Sequence, residues 1–118
     1  MFNLIGSDSS KIRLDWVKYN LSNIPNGLSI LDAGAGELKF KPYCEHLKYV
    51  AQDFGQYDGK GDEDGLQTGN WNNDHLDIIS DITKIPVGNN SFDVILCTEV
   101  FEHLPDAVAT LNEFSRIL

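Results

Sequence analysis

A chain of 118 residues has room for a single hydrophobic core and therefore for one domain. Nine Lys and Arg against 18 Asp and Glu give a net charge of −9, which repels phosphate backbones, argues against nucleic acid as a partner and favours a cationic ligand. Two cysteines with no CxxC pair, no apolar run of membrane-spanning length and no leader-like N-terminus argue against a metal site, a membrane and export, leaving the cytoplasm as the expected compartment.

The first expected element is a helix over residues 9–21, with Ile12 and Trp16 one turn apart, Leu14, Val17 and Leu21 extending the stripe, and Asp8, Ser9 and Ser10 as capping groups. Asn26 and Gly27 close the connection to a strand over 28–33. Gly34 and Gly36 then make a tight turn in which the backbone bends sharply and a ligand can approach it. A short helix over 41–46, entered through Pro42, leads to a second strand over 49–52 that ends at Asp53.

Residues 55–75 carry Gly55, Gly59, Gly61, Gly65 and Gly69 among Asp, Asn and Gln, and read as a long flexible surface loop rather than a binding lid. A calcium loop is excluded, because aligning Gly65 with the required glycine puts Lys60 and Trp71 at the first and last ligand positions. A third strand over 76–80 ends at Asp81. Asn89 and Asn90 turn the chain into a fourth strand over 92–97, nearly all apolar, as expected of a parallel strand covered on both faces, with Cys97 as a small core residue. Pro105 opens the last helix, which presents Val108, Leu111 and Phe114 on one face, Asp106 in its first turn and Arg116 in its last. The alternation of strands with helices or long crossovers predicts an α/β fold with a doubly wound, mostly parallel sheet.

Ligands of such sheets sit beyond the carboxyl ends of the strands. The residues there are Asp32, Gly34 and Gly36 after the first strand, Asp53 and Phe54 after the second, Asp81 and Ile82 after the third, and Thr98 and Glu99 after the fourth. Each acid also has a plainer explanation: Asp32 as a turn cap, Asp53 and Glu99 as solvated loop acids, Asp81 as the cap of a short turn before Pro86. His103, just before Pro105, is a candidate general base near neutral pH or a residue packing at a helix start. His46 and His75 read as surface residues.

The run Ile-Leu-Asp-Ala-Gly-Ala-Gly-Glu at 30–37 resembles motif I of the class I S-adenosylmethionine-dependent methyltransferases. The stretch from Phe92 to Asp106 resembles the fourth-strand motif of the small-molecule, methyltransferase type 11-like branch. The resemblance covers about residues 28–118 and implies a Rossmann-like sheet, truncated here after strand 4 of the usual seven. It implies S-adenosylmethionine as cofactor, S-adenosylhomocysteine as product and a small-molecule acceptor. It further implies that the glycine turn holds the methionine part, Asp53 the ribose hydroxyls, and Asp81 and Ile82 the adenine, with Thr98 and Glu99 lining the pocket. The third glycine of the usual motif is replaced by Leu38, a position associated with close packing. A non-catalytic cofactor-binding or scaffold domain is the main alternative. An NAD-type oxidoreductase is a weaker one, because the turn lacks GxGxxG spacing and pyrophosphate would meet clustered carboxylates. Without a fifth strand, the apolar residues 94–97 form an open sheet edge through which the chain is expected to self-associate.

Overall fold

The computed structural model of the chain describes residues 2–55, 75–98 and 100–118, and of residues 2–8 the backbone only. Four strands, β1 (Ser29–Ala33), β2 (Lys48–Asp53), β3 (Ile78–Ile79) and β4 (Val94–Leu96), form one parallel sheet in the order β3-β2-β1-β4. Central β1 pairs on both sides, with Leu31 opposite Val50 of β2 and Ile95 of β4. Its residues alternate between two apolar layers. Leu31 and Ala33 pack with Phe92, Phe114 and Ile117 on one face, and Ile30 packs with Leu21, Phe40, Cys44 and Leu47 on the other. Helix α1 (Phe2–Ser22) contributes to the second layer and α2 (Ala107–Ile117) to the first, so the sheet is covered on both sides as a doubly wound fold requires. Ile30, Leu31 and Ala33 are fully buried, and each large apolar side chain so placed stabilises the fold by about 1.5–3 kcal/mol.

Several elements depart from expectation. Helix α1 begins at Phe2, so Asp8, Ser9 and Ser10 lie inside it rather than at its cap. Its apolar residues divide into two stripes. Leu14, Val17 and Leu21 face the sheet, whereas Ile12, Trp16 and Tyr19 are 64–68% exposed. Trp16 is two residues from Leu14, about 200° round the helix, and the two cannot share a face. The helix expected over 41–46 is only a 3-10 turn at Lys41–Tyr43, because Cys44 leaves helical space (φ −119°) and is buried with Leu47 against Ile30. Strand β3 is shorter than expected: the Asp77 carboxylate accepts the Ala51 N–H at 2.8 Å, the place a strand carbonyl would take. The expected loop over 55–75 falls, apart from its two ends, outside the described residues.

Asp106 is the N-cap of α2, not a first-turn residue, and its Oδ1 accepts the Ala109 N–H at 2.9 Å, so Pro105 precedes the helix rather than opening it. The buried face of α2 is Thr110, Phe114 and Ile117, while Val108 and Leu111 are 69% and 55% exposed. A threonine sits on the buried face at little cost because its hydroxyl donates to the Asp106 carbonyl at 3.0 Å. Asn90 takes the left-handed conformation expected of the Asn89–Asn90 turn (φ +57°). The N–H groups of Asn90, Ser91 and Phe92 then donate to the terminal carbonyls of Arg116 and Ile117, closing the C-terminus of α2 onto the start of β4. Arg116 completes the join. It makes a bidentate pair with Glu113 (2.8 and 2.7 Å) and donates to the carbonyls of Val87 and Ile85 at 2.9 Å each.

Candidate functional site

The site is built on the turn that follows β1. Gly34 and Gly36 have φ of +75° and +56°. A Cβ on Gly34 would stand 2.7 Å from the Val100 side chain, so glycine is required there by both conformation and space; at Gly36 the space is open and only the conformation asks for it. Leu38, where the third glycine is missing, also has a positive φ (+64°), so glycine suits this position for its backbone rather than for close packing.

Gln52, one residue before the end of β2, is almost fully buried and ties three strand ends together. Its backbone carbonyl accepts the N–H groups of Gly34 and Ala35 (2.9 and 2.8 Å), its Oε1 accepts the Gly34 N–H (3.1 Å), and its Nε2 donates to the Ser80 carbonyl (2.8 Å). Sequence reasoning passed over this residue; the available signal was a polar side chain inside an otherwise apolar strand. His75 was likewise missed: rather than lying free on the surface, it places Nε2 3.0 Å from the Gly36 carbonyl. His46 also meets a backbone carbonyl, that of Leu21, at 3.1 Å.

The acids differ in their surroundings. Asp53 accepts the Gly36 N–H on Oδ2 (2.7 Å) and the Phe54 N–H on Oδ1 (2.6 Å); a carboxylate offers about four acceptor positions, so capacity for a ligand remains. Exposed Asp81 accepts the N–H and hydroxyl of Thr83 on Oδ1 (2.8 and 2.6 Å), and these bonds hold its carboxyl below the usual range. The turn-capping role of Asp81 is therefore real, and the residue borders the site as well. Asp32 is buried, and the Tyr49 hydroxyl donates to its Oδ2 at 2.6 Å. Burial pushes its carboxyl up to about 6, against the downward pull of the Tyr49 bond and with a smaller upward push from the Asp53 charge.

A cavity of about 430 Å³ at the carboxyl ends of the strands brings together Gly34, Asp53, Phe54, Asp81, Ile82 and His103. It lies beside β1, between β2 and β4, where the strand order reverses. Asp32 and Thr98 line a neighbouring cavity of about 220 Å³ together with Ala35 of the turn. Gly36 is joined to the larger cavity through its bond to Asp53. Glu99 lies outside the described residues. The His103 side chain is 78% exposed, with Nε2 3.8 Å from a Glu102 carboxylate oxygen. Among the described residues the larger cavity carries two carboxylates and no Lys or Arg, a set of acceptors that suits hydroxyls and amino groups and disfavours a pyrophosphate.

A parallel sheet with a glycine turn and acids at its carboxyl ends defines an α/β protein that binds a nucleoside-bearing ligand. The family model described as "Methyltransferase domain" matches residues 31–118, and the chain belongs to that family. Solved structures agree on the fold. A protein from Methanococcus maripaludis assigned as an S-adenosyl-L-methionine-dependent methyltransferase superposes with a TM-score of 0.60 at 21% identity, over 86% of this chain and 49% of that one. An S-adenosylmethionine-dependent methyltransferase from Aquifex aeolicus gives 0.57 at 24%, over 84% and 55%. A protein from Anabaena variabilis, assigned as a methyltransferase from an antibiotic biosynthesis pathway, gives 0.65 at 19%, over 91% and 41%. The chain thus spans about half the length of these structures. No curated protein matches it. The family implies S-adenosylmethionine as the cofactor, and the described residues fit it: carboxylates flank a close-packed turn, and a buried carboxylate is available to a cationic group. Among the described residues no helix is long and apolar enough to cross a membrane.

Proposed function

We propose that this chain holds S-adenosylmethionine and supports methyl transfer to a small-molecule acceptor. The observation that carries this proposal is the convergence of Gly34, Asp53, Phe54, Asp81 and Ile82 on one cavity beside the glycine turn. When bound, the cofactor supplies an electrophilic methyl on a sulfonium, whose carbon–sulfur bond breaks as the acceptor's bond to carbon forms. The residues have little further chemistry to do; they bind, orient and exclude water.

Asp53 accepts the ribose hydroxyls on the acceptor positions left by Gly36 and Phe54. Asp81 and Ile82 meet the adenine, with Asp81 already oriented by Thr83. Asp32, with Thr98 across the smaller cavity, takes the cationic methionine end, and Gln52 fixes the turn between the two cavities. His103 borders the larger cavity and is the candidate to take a proton from an oxygen or nitrogen acceptor. The chain acts in the cytoplasm and self-associates through the open side of β4.

Titration calorimetry with S-adenosylhomocysteine, with NAD as the control ligand, tests the cofactor site. Saturable binding of S-adenosylhomocysteine alone, lost in Asp53→Ala while the circular dichroism spectrum is kept, is the expected result. Equal binding of NAD, or binding indifferent to Asp53, overturns the assignment. Turnover measured on the same samples separates methyl transfer from cofactor binding alone.

A further inference from the structure

A third cavity, of about 420 Å³, lies between α1 and the segment that follows the glycine turn. Its apolar wall is formed by Ile12, Trp16 and Phe40, and Arg13 and Lys39 add positive charge. Lys39, Phe40 and Thr98 also line the smaller cavity that contains Asp32 and Ala35, so the cleft runs up to the glycine turn. Two features of this place are out of keeping with the rest of the molecule. Ile12 and Trp16 are exposed, whereas Leu14, Val17 and Leu21 of the same helix are packed on the sheet. Two of only nine Lys and Arg in a chain of net charge −9 border one cleft.

We propose that this cleft binds the methyl acceptor, and that the acceptor is an apolar small molecule bearing an anionic group, a carboxylate or a phosphate. Its role as acceptor depends on the cofactor occupying the cavities at the glycine turn. The cleft falls within the range of ligand pockets, about 300–1,000 Å³, and its wall of aromatic and aliphatic groups with a few charged ones is the composition that holds an amphipathic small molecule. Ile12, Trp16 and Phe40 cover the apolar body. Arg13 and Lys39 fix the anion, Arg13 through its planar fork and Lys39 as a point charge whose Nζ stands 5.6 Å from the centre of the Phe40 ring. The anion serves as a handle, and Thr98 borders the side of the cleft that meets the cavity at the turn.

The test is a titration of the chain with cinnamate, phenyl phosphate and cinnamyl alcohol, each with and without S-adenosylhomocysteine. It is read by calorimetry and by the indole N–H resonance of Trp16, assigned with Trp16→Phe. At least one anion is expected to bind about tenfold tighter than the neutral alcohol and to shift the Trp16 resonance. In the Arg13→Gln, Lys39→Gln double variant the preference should fall to about twofold or less, and in Arg13→Gln alone it should fall with S-adenosylhomocysteine affinity unchanged. Cinnamate and phenyl phosphate separate carboxylate from phosphate recognition. Equal binding of the alcohol, a preference that survives in the double variant, or an unmoved Trp16 resonance overturns the proposal. Loss of S-adenosylhomocysteine binding with anion preference intact defeats the cofactor assignment and leaves the anion cleft standing; the reverse pattern defeats the cleft alone.

Discussion

Asp32 is the buried carboxylate of the site. Its carboxyl is pushed up to about 6 from an ordinary value of 3.8, chiefly by burial. The folded chain therefore holds a proton that the unfolded chain releases between about pH 4 and 6, and stability from this group falls as pH rises through that window and stays low above it. A shift of this size corresponds to about 3 kcal/mol at neutral pH. Asp32→Asn keeps an acceptor for the Tyr49 hydroxyl and removes the charge. The variant is expected to be about 2–3 kcal/mol more stable than the parent at pH 7.5 by urea unfolding, with the difference shrinking toward zero near pH 4, and to bind S-adenosylhomocysteine more weakly. Equal stability at pH 7.5, or unimpaired binding, would show that Asp32 is an ordinary structural acid.

At the scale of elements, the join between α2 and the segment before β4 depends on Arg116. One side chain there satisfies two backbone carbonyls and both oxygens of Glu113, while Glu113 Oε2 also accepts the Ile85 N–H at 2.6 Å. Arg116→Ala is expected to cost about 2–3 kcal/mol in urea unfolding, and Arg116→Lys to recover only part of it, because an ammonium cannot reproduce the planar fork. Full recovery with lysine would mean that charge alone matters there.

Arg116 also shows where the sequence stops being informative. All four strands were legible from short apolar runs, although β1 alone is buried along most of its length, and the acids at their ends stood out by position. Arg116 looked like a helix-dipole residue because its real partners lie far away in the chain. Gln52 and His75 were missed for the same reason, since a tertiary hydrogen bond leaves no periodicity. The face of α2 was misjudged because Val108 and Leu111 are apolar and Thr110 is not, yet Thr110 is the one buried. Leu38 was recognised as a missing glycine, but only its positive φ shows why glycine belongs there.

Across the whole molecule, the sheet ends in two edges. Among the described residues β3 pairs with β2 alone, over two residues, and β4 pairs with β1 alone and leaves its other side open. Val108, Leu111 and Leu118 of the last helical segment are exposed as well. An open strand edge and exposed apolar side chains together favour association. Light scattering behind size exclusion should give a mass that rises with concentration, reduced by Val108→Glu with Leu111→Glu if that helix face takes part. A monomeric mass at every concentration would refute association of this chain.

The clamp between Ser29 and Asp93 has a bearing on how the molecule assembles. The Asp93 carboxylate accepts both the N–H and the hydroxyl of Ser29, 64 positions earlier in the chain. Neighbouring β2 reaches β1 after a far shorter excursion, at Lys48 opposite Ser29. The entropy of closing a loop grows only logarithmically with its length, so lengthening the chain between β2 and β4 alters final stability little, about 0.6 kcal/mol per doubling. Its effect falls on timing. The innermost strand must wait with one flank unpaired until residue 93 arrives, and such distant pairings slow folding more than they weaken the finished fold.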